Sequence, residues 1–323
     1  DRESEPSSAW KEQQVPAVSS IDKPQGLTPA TSGERIAAVD IVRGLAILGI
    51  LVVNVRFFAG AAGVPSWEMA PVNRVVTLLT RFVAQGKFYP LFSLLFGWGM
   101  AVQMRRAAAR SGGFLSFYVR RLGILLVFGL IHVLFIWEGD ILVNYALLGL
   151  PLILFRKRSD RAVLIAALIC ILTPVLLSAP GPVAAVRGAQ EAAVDHVRRL
   201  LTAGHQISVQ GSDGYMDAVR RRAILAVIQT INLLRWAPHI LGMFLLGLYA
   251  GRRRILADVS EHLPLLRRVL WGALALGLVC NVVFVAASDH PTLFPEAYLE
   301  LASRGARTVA CSALALSYLI GVL

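Results

Sequence analysis

Segment 129–145 places a histidine, two carboxylates and two further polar side chains within otherwise apolar sequence. These residues are His132, Glu138, Asp140, Asn144 and Tyr145. An imidazole beside a carboxylate can act as a general base, with Glu138 or Asp140 orienting the ring of His132. A single histidine is more often a structural residue, so this interpretation depends on its polar neighbours.

A second polar group lies in the apolar segment 38–54. Asp40 and Arg43 are three residues apart, which is the spacing of an ion pair on a helix. Asn54 follows Arg43 by eleven residues, or about 16 Å along the same helix face. Arg43 and Asn54 are therefore candidates for a functional site within this span. Alternatively, Arg43 extends to one membrane interface and Asn54 marks the other.

Three further positions place ionisable groups in or beside apolar segments, where each costs about a few kcal/mol or more and is therefore a functional candidate. Lys87 opens an apolar segment and either extends to the interface or holds an anionic ligand. Pro238 predicts a helix kink next to His239. We interpret Arg304 and Arg307 as residues that mark an interface.

The elements that must position these residues are long apolar segments. The chain has 323 residues, of which 56% are hydrophobic and 16% charged, and its mean hydropathy is +0.63. A soluble domain of this size could not bury so much apolar surface. Windows long enough to cross a bilayer lie at about 37–59, 86–104, 116–137, 140–155, 162–178, 231–250, 268–288 and 306–323. The sequence therefore predicts an all-α, polytopic transmembrane helix bundle of about eight spans.

Basic residues are concentrated between alternate spans, in 105–121, 156–161 and 252–268. The positive-inside rule predicts that these connections and the N-terminus are cytoplasmic, and that the turn at 138–140 is on the other side. This distribution explains the net charge of +12 without a nucleic-acid partner. The lipid bilayer is the partner that we expect.

The chain divides into four predicted regions. Residues 1–34 read as a disordered cytoplasmic tail, because they are rich in Ser, Pro and Glu without hydrophobic periodicity. Residues 35–178 form an N-terminal membrane half of about five spans, and 179–230 an extracytoplasmic or interfacial helical segment. Residues 231–323 form a C-terminal membrane half of about three spans. We expect further sequence beyond both ends of the chain.

The sequence gives no support for metal or soluble-enzyme chemistry. Cys170, Cys280 and Cys311 lie in apolar runs without the spacing of a metal site, and we expect no bound metal. Motifs of phosphate-binding loops, dinucleotide-binding folds, zinc proteases and serine hydrolases do not occur.

Three segments resemble the YeiB family of bacterial polytopic membrane proteins, including the domain of unknown function that forms its C-terminal half. They are R-G-L-A-I-L-G-I-L-V-V-N at 43–54, K-F-Y-P-L-F-S-L-L-F-G-W-G-M at 87–100 and G-L-I-H-V-L-F-I-W-E-G-D-I-L-V-N-Y-A-L-L-G-L at 129–150. The resemblance covers about 35–323 and implies a multi-pass protein of the bacterial cytoplasmic (inner) membrane. It does not imply an activity.

YeiB-like proteins are in turn distantly similar to transmembrane acyltransferases, namely the acyltransferase-3 family and heparan-glucosaminide N-acetyltransferase. In the acyltransferase-3 family, the position that corresponds to Asn54 is a catalytic histidine. The heparan enzyme resembles this chain in having Asn there, with a catalytic histidine in the following loop, but no histidine occurs in 60–71. If the chemistry is retained, His132 is the candidate base, Asn54 would donate to the developing oxyanion, and Arg43 or Lys87 would neutralise the phosphate of the donor.

Two functions follow as hypotheses. In the first, His132 deprotonates a hydroxyl or amine on an extracytoplasmic, glycan or lipid-linked acceptor, which attacks a cytoplasmic thioester donor such as acyl-CoA. In the second, Arg43, Lys87, His132 and Asp140 line the path of a transporter or lipid flippase. Transporters usually contain inverted repeats, and no second copy of the first-span motif occurs.

Overall fold

The computed structural model describes residues 37–58, 70–109, 113–202 and 214–323, and it contains no strand in these ranges. The protein is an all-α helix bundle. Its helices are α1 (Ala37–Phe58), α2 (Pro71–Val83), α3 (Phe88–Ala109), α4 (Phe114–Ile131), α5 (Leu142–Leu152), α6 (Asp160–Leu177), α7 (Pro182–Thr202), α8 (Tyr215–Arg252), α9 (Val259–Asp289), α10 (Glu296–Glu300) and α11 (Ala306–Val322). Two π-helical turns, His132–Ile136 and Leu301–Gly305, follow α4 and precede α11.

Five candidate membrane spans occur among the described residues, or six if the two arms of a bent helix count as one span. The five are Ala37–Val55, Phe114–Ile136, Asp160–Leu177, Val259–Asp289 and Glu296–Val322, and the bent helix is α8, which changes direction by 66° between Tyr215–Leu233 and Arg235–Arg252. The expected count of about eight is therefore wrong.

The two segments that do not qualify are α3 and α5. Helix α5 has only 11 residues, or about 16 Å, which is about half of the hydrocarbon thickness. Helix α3 is long enough, but Gln103, Arg105 and Arg106 in its second half leave no 18-residue stretch that is sufficiently apolar.

The lipid-facing surface belongs to the outer helices. Four of the five candidate spans have only 11% to 22% of their most apolar window buried inside the protein. Large apolar side chains such as Ile47, Ile169 and Val279 are at least 60% exposed. The bilayer is the solvent that such a surface requires, so the protein is embedded in a membrane.

The centre of the bundle is the crossing of α3 with the second arm of α8. Gly97 faces the carbonyl of Phe244, and Gly247 faces the carbonyl of Leu94. A Cβ at either glycine would collide with backbone of the other helix, so the two backbones approach closely only because both residues are glycine. This contact fixes α8 against α3 on the C-terminal side of the bend.

The three basic connections meet at one end of the bundle. Arg105 donates to the carbonyl of Gly251. Arg252 donates to the carbonyl of Phe155 at 2.7 Å, and Arg253 pairs with Asp160 at 3.0 Å. We refer to this as the basic end and to the opposite end, which contains the turn 137–141, as the turn end. The predicted tail 1–34 and most of the predicted loop 60–71 lie outside the described residues.

Candidate functional site

Two adjoining cavities lie at the turn end, between the start of α5 and the first arm of α8. Their volumes are about 370 Å³ and 380 Å³. Both are lined by Asp140, Asn144 and Gln229. We refer to these three polar side chains, which border both cavities, as the junction. A few polar groups in a mostly apolar cavity are typical of a ligand site.

His132 and Asp140 form a hydrogen-bonded pair at this junction. Nδ1 of His132 lies 3.0 Å from Oδ1 of Asp140. The other carboxylate oxygen accepts from the backbone N–H of Val143 at 2.8 Å, at the start of α5. Because a carboxylate only accepts, the neutral ring carries its hydrogen on Nδ1 and presents Nε2 as a proton acceptor.

Local backbone structure positions this pair. A π-helical turn begins at His132, whose carbonyl accepts from the N–H of Trp137 at 2.8 Å. The chain then reverses through Gly139 into α5, which brings Asp140 back beside the ring. The side chain of Asp140 is 2% exposed and that of His132 is 34% exposed. The carboxylate is therefore fixed in the protein, whereas the imidazole remains accessible. Asp140 lines both cavities, and His132 is absent from the described residues that line them.

The other three polar residues of segment 129–145 have different surroundings. Glu138 faces α8, with Oε2 3.8 Å from Nε of Arg222. Asn144 lines both cavities. Tyr145 is buried and donates to the carbonyl of Tyr89 at 2.7 Å, so it packs against α3. Of the three, Asn144 is placed beside Asp140 in the cavities.

Arg43 and Asn54 lie on α1, away from the junction. Arg43 pairs with Asp40 at 3.0 Å, is exposed, and stands 6.0 Å from the ring centre of Trp98. Trp98 contacts Gly251, so Arg43 is toward the basic end. Asn54 is half-buried, one helical turn before Phe58, whose ring lies 5.1 Å from that of Trp137. The structure places Asn54 toward the turn end and does not bring Arg43 to His132.

Lys87 is fully buried. Its Nζ donates to the carbonyl of Arg81 at 2.7 Å and to Oδ1 of Asn281 at 2.9 Å. These two bonds tie the turn before α3 to the end of α2 and to the second half of α9. The ammonium is therefore engaged by the protein itself and neither reaches the interface nor contacts His132.

A third cavity, of about 330 Å³, adjoins the 370 Å³ cavity through Asn232, Trp236 and Arg307, which line both. Four arginines line it: Arg187, Arg235, Arg304 and Arg307. The interpretation of Arg304 and Arg307 as interface markers missed this cavity, because its arginines come from three separate parts of the chain. The available signal was the high arginine content of 187–235 and 304–307 next to apolar spans.

A buried network of hydrogen bonds lies beside the same cavities. The hydroxyl of Tyr89, which lines the 370 Å³ cavity, is 3.1 Å from Nδ1 of His239. Nε2 of His239 is 2.6 Å from Oγ of Ser312, which donates to the carbonyl of Thr308 at 3.0 Å. Every polar side-chain atom in this network has a partner. The network therefore connects α3, α8 and α11 as a structural element.

Comparison with known proteins identifies the family. The chain is 34% identical over 278 residues to the uncharacterized protein YxaH of Bacillus subtilis (strain 168), which covers 80% of this chain and 68% of YxaH. It is 37% identical over 122 residues to the uncharacterized protein YeiB of Escherichia coli (strain K12), covering 36% of this chain and 30% of YeiB. The chain belongs to the YeiB family. A further relative is an uncharacterized 39.9 kDa protein of Bacillus acidopullulyticus, 36% identical over 131 residues, covering 41% of this chain and 37% of that protein.

These relatives confirm the resemblance to the YeiB family. No family model matches the chain, and no solved structure matches it. None of the three relatives is named for acyl transfer. An activity for this YeiB-family member has therefore to be argued from the geometry of its own residues.

Proposed function

We propose that this protein is an acyltransferase of the bacterial cytoplasmic membrane, which moves an acyl group from a thioester donor such as acyl-CoA to a hydroxyl or amine of an extracytoplasmic or lipid-linked acceptor. The observation that carries the proposal is the His132–Asp140 pair. A buried carboxylate that fixes the Nδ1 hydrogen of an accessible imidazole is the arrangement that a general base requires.

In the proposed reaction, Nε2 of His132 takes the proton of the acceptor group as that group attacks the thioester carbonyl. The carbon–sulfur bond then breaks, and the thiolate leaves with the proton from the imidazolium. The carboxylate of Asp140 stabilises the imidazolium while it exists. Asn144 lines the cavities beside Asp140, so we assign it to hold the acceptor. Asn54 is the proposed donor to the oxyanion.

The proposed orientation places the basic end in the cytoplasm and the turn end outside, following the charge distribution. Arg43 is then at the side from which a nucleotide donor arrives, where its exposed guanidinium can neutralise a phosphate. The ammonium of Lys87 is fully buried, and two of its three N–H donors already bind protein acceptors. We therefore assign donor phosphate to Arg43 and not to Lys87.

The test is a reconstituted transfer assay. Proteoliposomes that contain the full chain and bacterial lipid extract receive acetyl-CoA labelled in the acetyl group, and label in the lipid or glycan fraction is counted. We expect transfer by the wild type and its loss in His132→Ala. The matched control is His290→Ala, which removes an exposed histidine after α9 and retains transfer. No transfer by the wild type contradicts the enzyme proposal, and full transfer by His132→Ala contradicts the assigned base.

A transporter or lipid flippase is the second candidate function. The observation that favours it is the set of three connected cavities beside the bend of α8. A bent helix next to a polar cavity is a common feature of substrate paths in membrane proteins. Movement of a labelled solute or lipid across proteoliposomes without covalent change would support this function in place of acyl transfer.

A further inference from the structure

The cavity of about 330 Å³ carries an unusual set of charges. Its polar lining is dominated by four guanidinium groups, and no carboxylate occurs among the described residues that line it. The remaining wall includes Pro174 and Leu177 of α6 and the ring of Trp236. Several arginines around an apolar wall form a site for an anion that also has an apolar part.

Nearby carboxylates neutralise only part of this charge. A single oxygen of Glu191 accepts from both Arg235 and Arg304, each at 2.7 Å. The hydrogen bond from Arg304 is the main reason that the pKa of Glu191 lies below its ordinary value. Arg304 also pairs with Glu300 at 3.1 Å. With two carboxylates near four guanidinium groups, the cavity keeps an excess of positive charge.

Arg307 is the residue whose bonding is incomplete. Its guanidinium lies 5.5 Å from the ring centre of Trp236 and 5.7 Å from that of Phe284. Its Nε is buried and has no hydrogen-bond partner in the protein. Leaving a buried charged donor unsatisfied is costly. Arg307 lines the cavity, so an anion bound there can supply acceptors to its guanidinium group.

The position of the cavity favours a ligand with an apolar chain. Pro174 and Leu177 belong to the end of α6, a helix whose apolar face is open to lipid, as Leu176 shows at 64% exposure. Arg307 also lines the cavity that contains Asp140. A molecule whose head group contacts the arginines could therefore extend its chain along α6 and its reactive group toward Asp140.

We propose that the cavity lined by Arg187, Arg235, Arg304 and Arg307 binds the phosphate group of an amphiphilic acceptor. This inference rests on the proposed function, because it names the class of acceptor for the His132 site as a lipid that carries phosphate. Each guanidinium fork binds two oxygens at once, and a phosphate group offers more acceptor oxygens and more negative charge than a carboxylate. It therefore fits a site with several arginines better.

The test is equilibrium binding of radiolabelled dodecyl phosphate to the full chain in phosphatidylcholine nanodiscs, with empty nanodiscs as background. We expect saturable binding that inorganic phosphate displaces only at far higher concentration. Arg307→Gln and Arg304→Gln should each weaken binding about tenfold or more, since each removes charged hydrogen-bond donors. Arg268→Gln is the matched control, because it removes an exposed arginine from α9 toward the basic end and should leave binding unchanged.

Each result decides the proposal. Absence of saturable binding, or equal binding by all three variants, overturns it. Displacement by inorganic phosphate at equal concentration overturns the amphiphile and supports a soluble phosphate compound as the ligand. Gel filtration tests whether each variant is folded. If Arg307→Gln is misfolded, Arg304→Gln still tests the proposal, because the side chain of Arg304 is 44% exposed and its replacement disturbs packing less.

Failure of this inference is separable from failure of acyl transfer, because binding is measured without an acyl donor. His132→Ala should bind dodecyl phosphate as the wild type does. Normal binding together with no transfer by the wild type overturns the enzyme and leaves the phosphate site. Transfer that depends on His132 while dodecyl phosphate does not bind leaves the enzyme and overturns the phosphate site.

Discussion

Nε2 of His239 lies 2.6 Å from the hydroxyl of Ser312, and this bond joins α8 to α11 in the interior of the bundle. Nδ1 of the same ring contacts the hydroxyl of Tyr89 on α3. His239 is 1% exposed, so water cannot replace either partner. One imidazole therefore connects three helices that surround the candidate site.

The first prediction is that His239→Ala destabilises the protein. The hydroxyl of Tyr89 loses its partner, and a cavity replaces the ring, which together cost about 2 kcal/mol or more. Ser312→Ala should cost less, because the Nε2 hydrogen of His239 is the principal group that loses its acceptor. Thermal unfolding in detergent measures both, with the exposed His290→Ala as a control.

Ser312 and His239 could also be read as a nucleophile and base, and the same variants decide this. Suppose that Ser312→Ala unfolds close to the wild-type temperature but no longer transfers acyl groups. That result would contradict a purely structural role for the hydrogen bonds of His239 and Ser312. If Ser312→Ala transfers normally, Ser312 is not the nucleophile.

The second prediction separates the two roles of Asp140. Asp140→Asn keeps an oxygen that can accept from the N–H of Val143, so α5 retains its first-turn bond. Its amide group, however, can donate to His132, which moves the ring hydrogen to Nε2 and removes the proton acceptor. We expect transfer to fall about a hundredfold or more with little change in stability.

Asp140→Ala provides the comparison. It loses both the bond to His132 and the bond to Val143, so we expect the same loss of transfer and, in addition, about 1 kcal/mol of stability. Wild-type rates in Asp140→Asn, measured in the proteoliposome assay, would show that the carboxylate does not orient the imidazole.

The difference between local and distant contacts explains how much of the site the sequence could predict. His132 and Asp140 are eight residues apart across a turn, so their proximity follows from short-range structure. The acceptor of Lys87 is Asn281, which is 194 residues away. Sequence alone could not distinguish a lysine that extends to the interface from one that is buried by such a contact.

The fold also combines features that depend on nearby residues with features that depend on distant contacts. The all-α class and most helix positions follow from hydropathy and charge, because each depends on residues close in sequence. The predicted count of eight spans was wrong, because α5 has only 11 residues and the polar second half of α3 lowers its hydropathy. The arginine-lined cavity combines residues of α6, α7, α8, the π-helical turn before α11 and the start of α11, which only the packed bundle brings together.

The third prediction concerns the crossing of α3 and α8. Gly97→Ala places a methyl group against the carbonyl of Phe244, whereas Gly99→Ala, two residues away on the same helix, places it in open space. We expect Gly97→Ala to cost about 1–3 kcal/mol through forced separation of the helices. Gly99→Ala should be neutral or slightly stabilising, because alanine favours helix.

Thermal unfolding of the two variants, together with their yield in folded form, measures this difference. Equal stabilities would contradict a close backbone crossing at Gly97. Since the second arm of α8 carries His239, loss of the crossing should also reduce the stability of the site.

The fourth prediction concerns orientation in the membrane. Lys157 lies at the basic end and Glu296 at the turn end, and both are exposed. In intact bacterial cells, a membrane-impermeant maleimide should label Glu296→Cys but not Lys157→Cys, and breaking the cells should expose Lys157→Cys to the same reagent. The unsubstituted chain measures the background from its own three cysteines, of which Cys311 is buried and the others are half-buried.

The reverse pattern would place the basic end outside, and His132 would then face the cytoplasm together with the thioester donor. Acyl transfer would in that case require an acceptor on the cytoplasmic side, so the labelling result decides which class of acceptor should be supplied in the transfer assay.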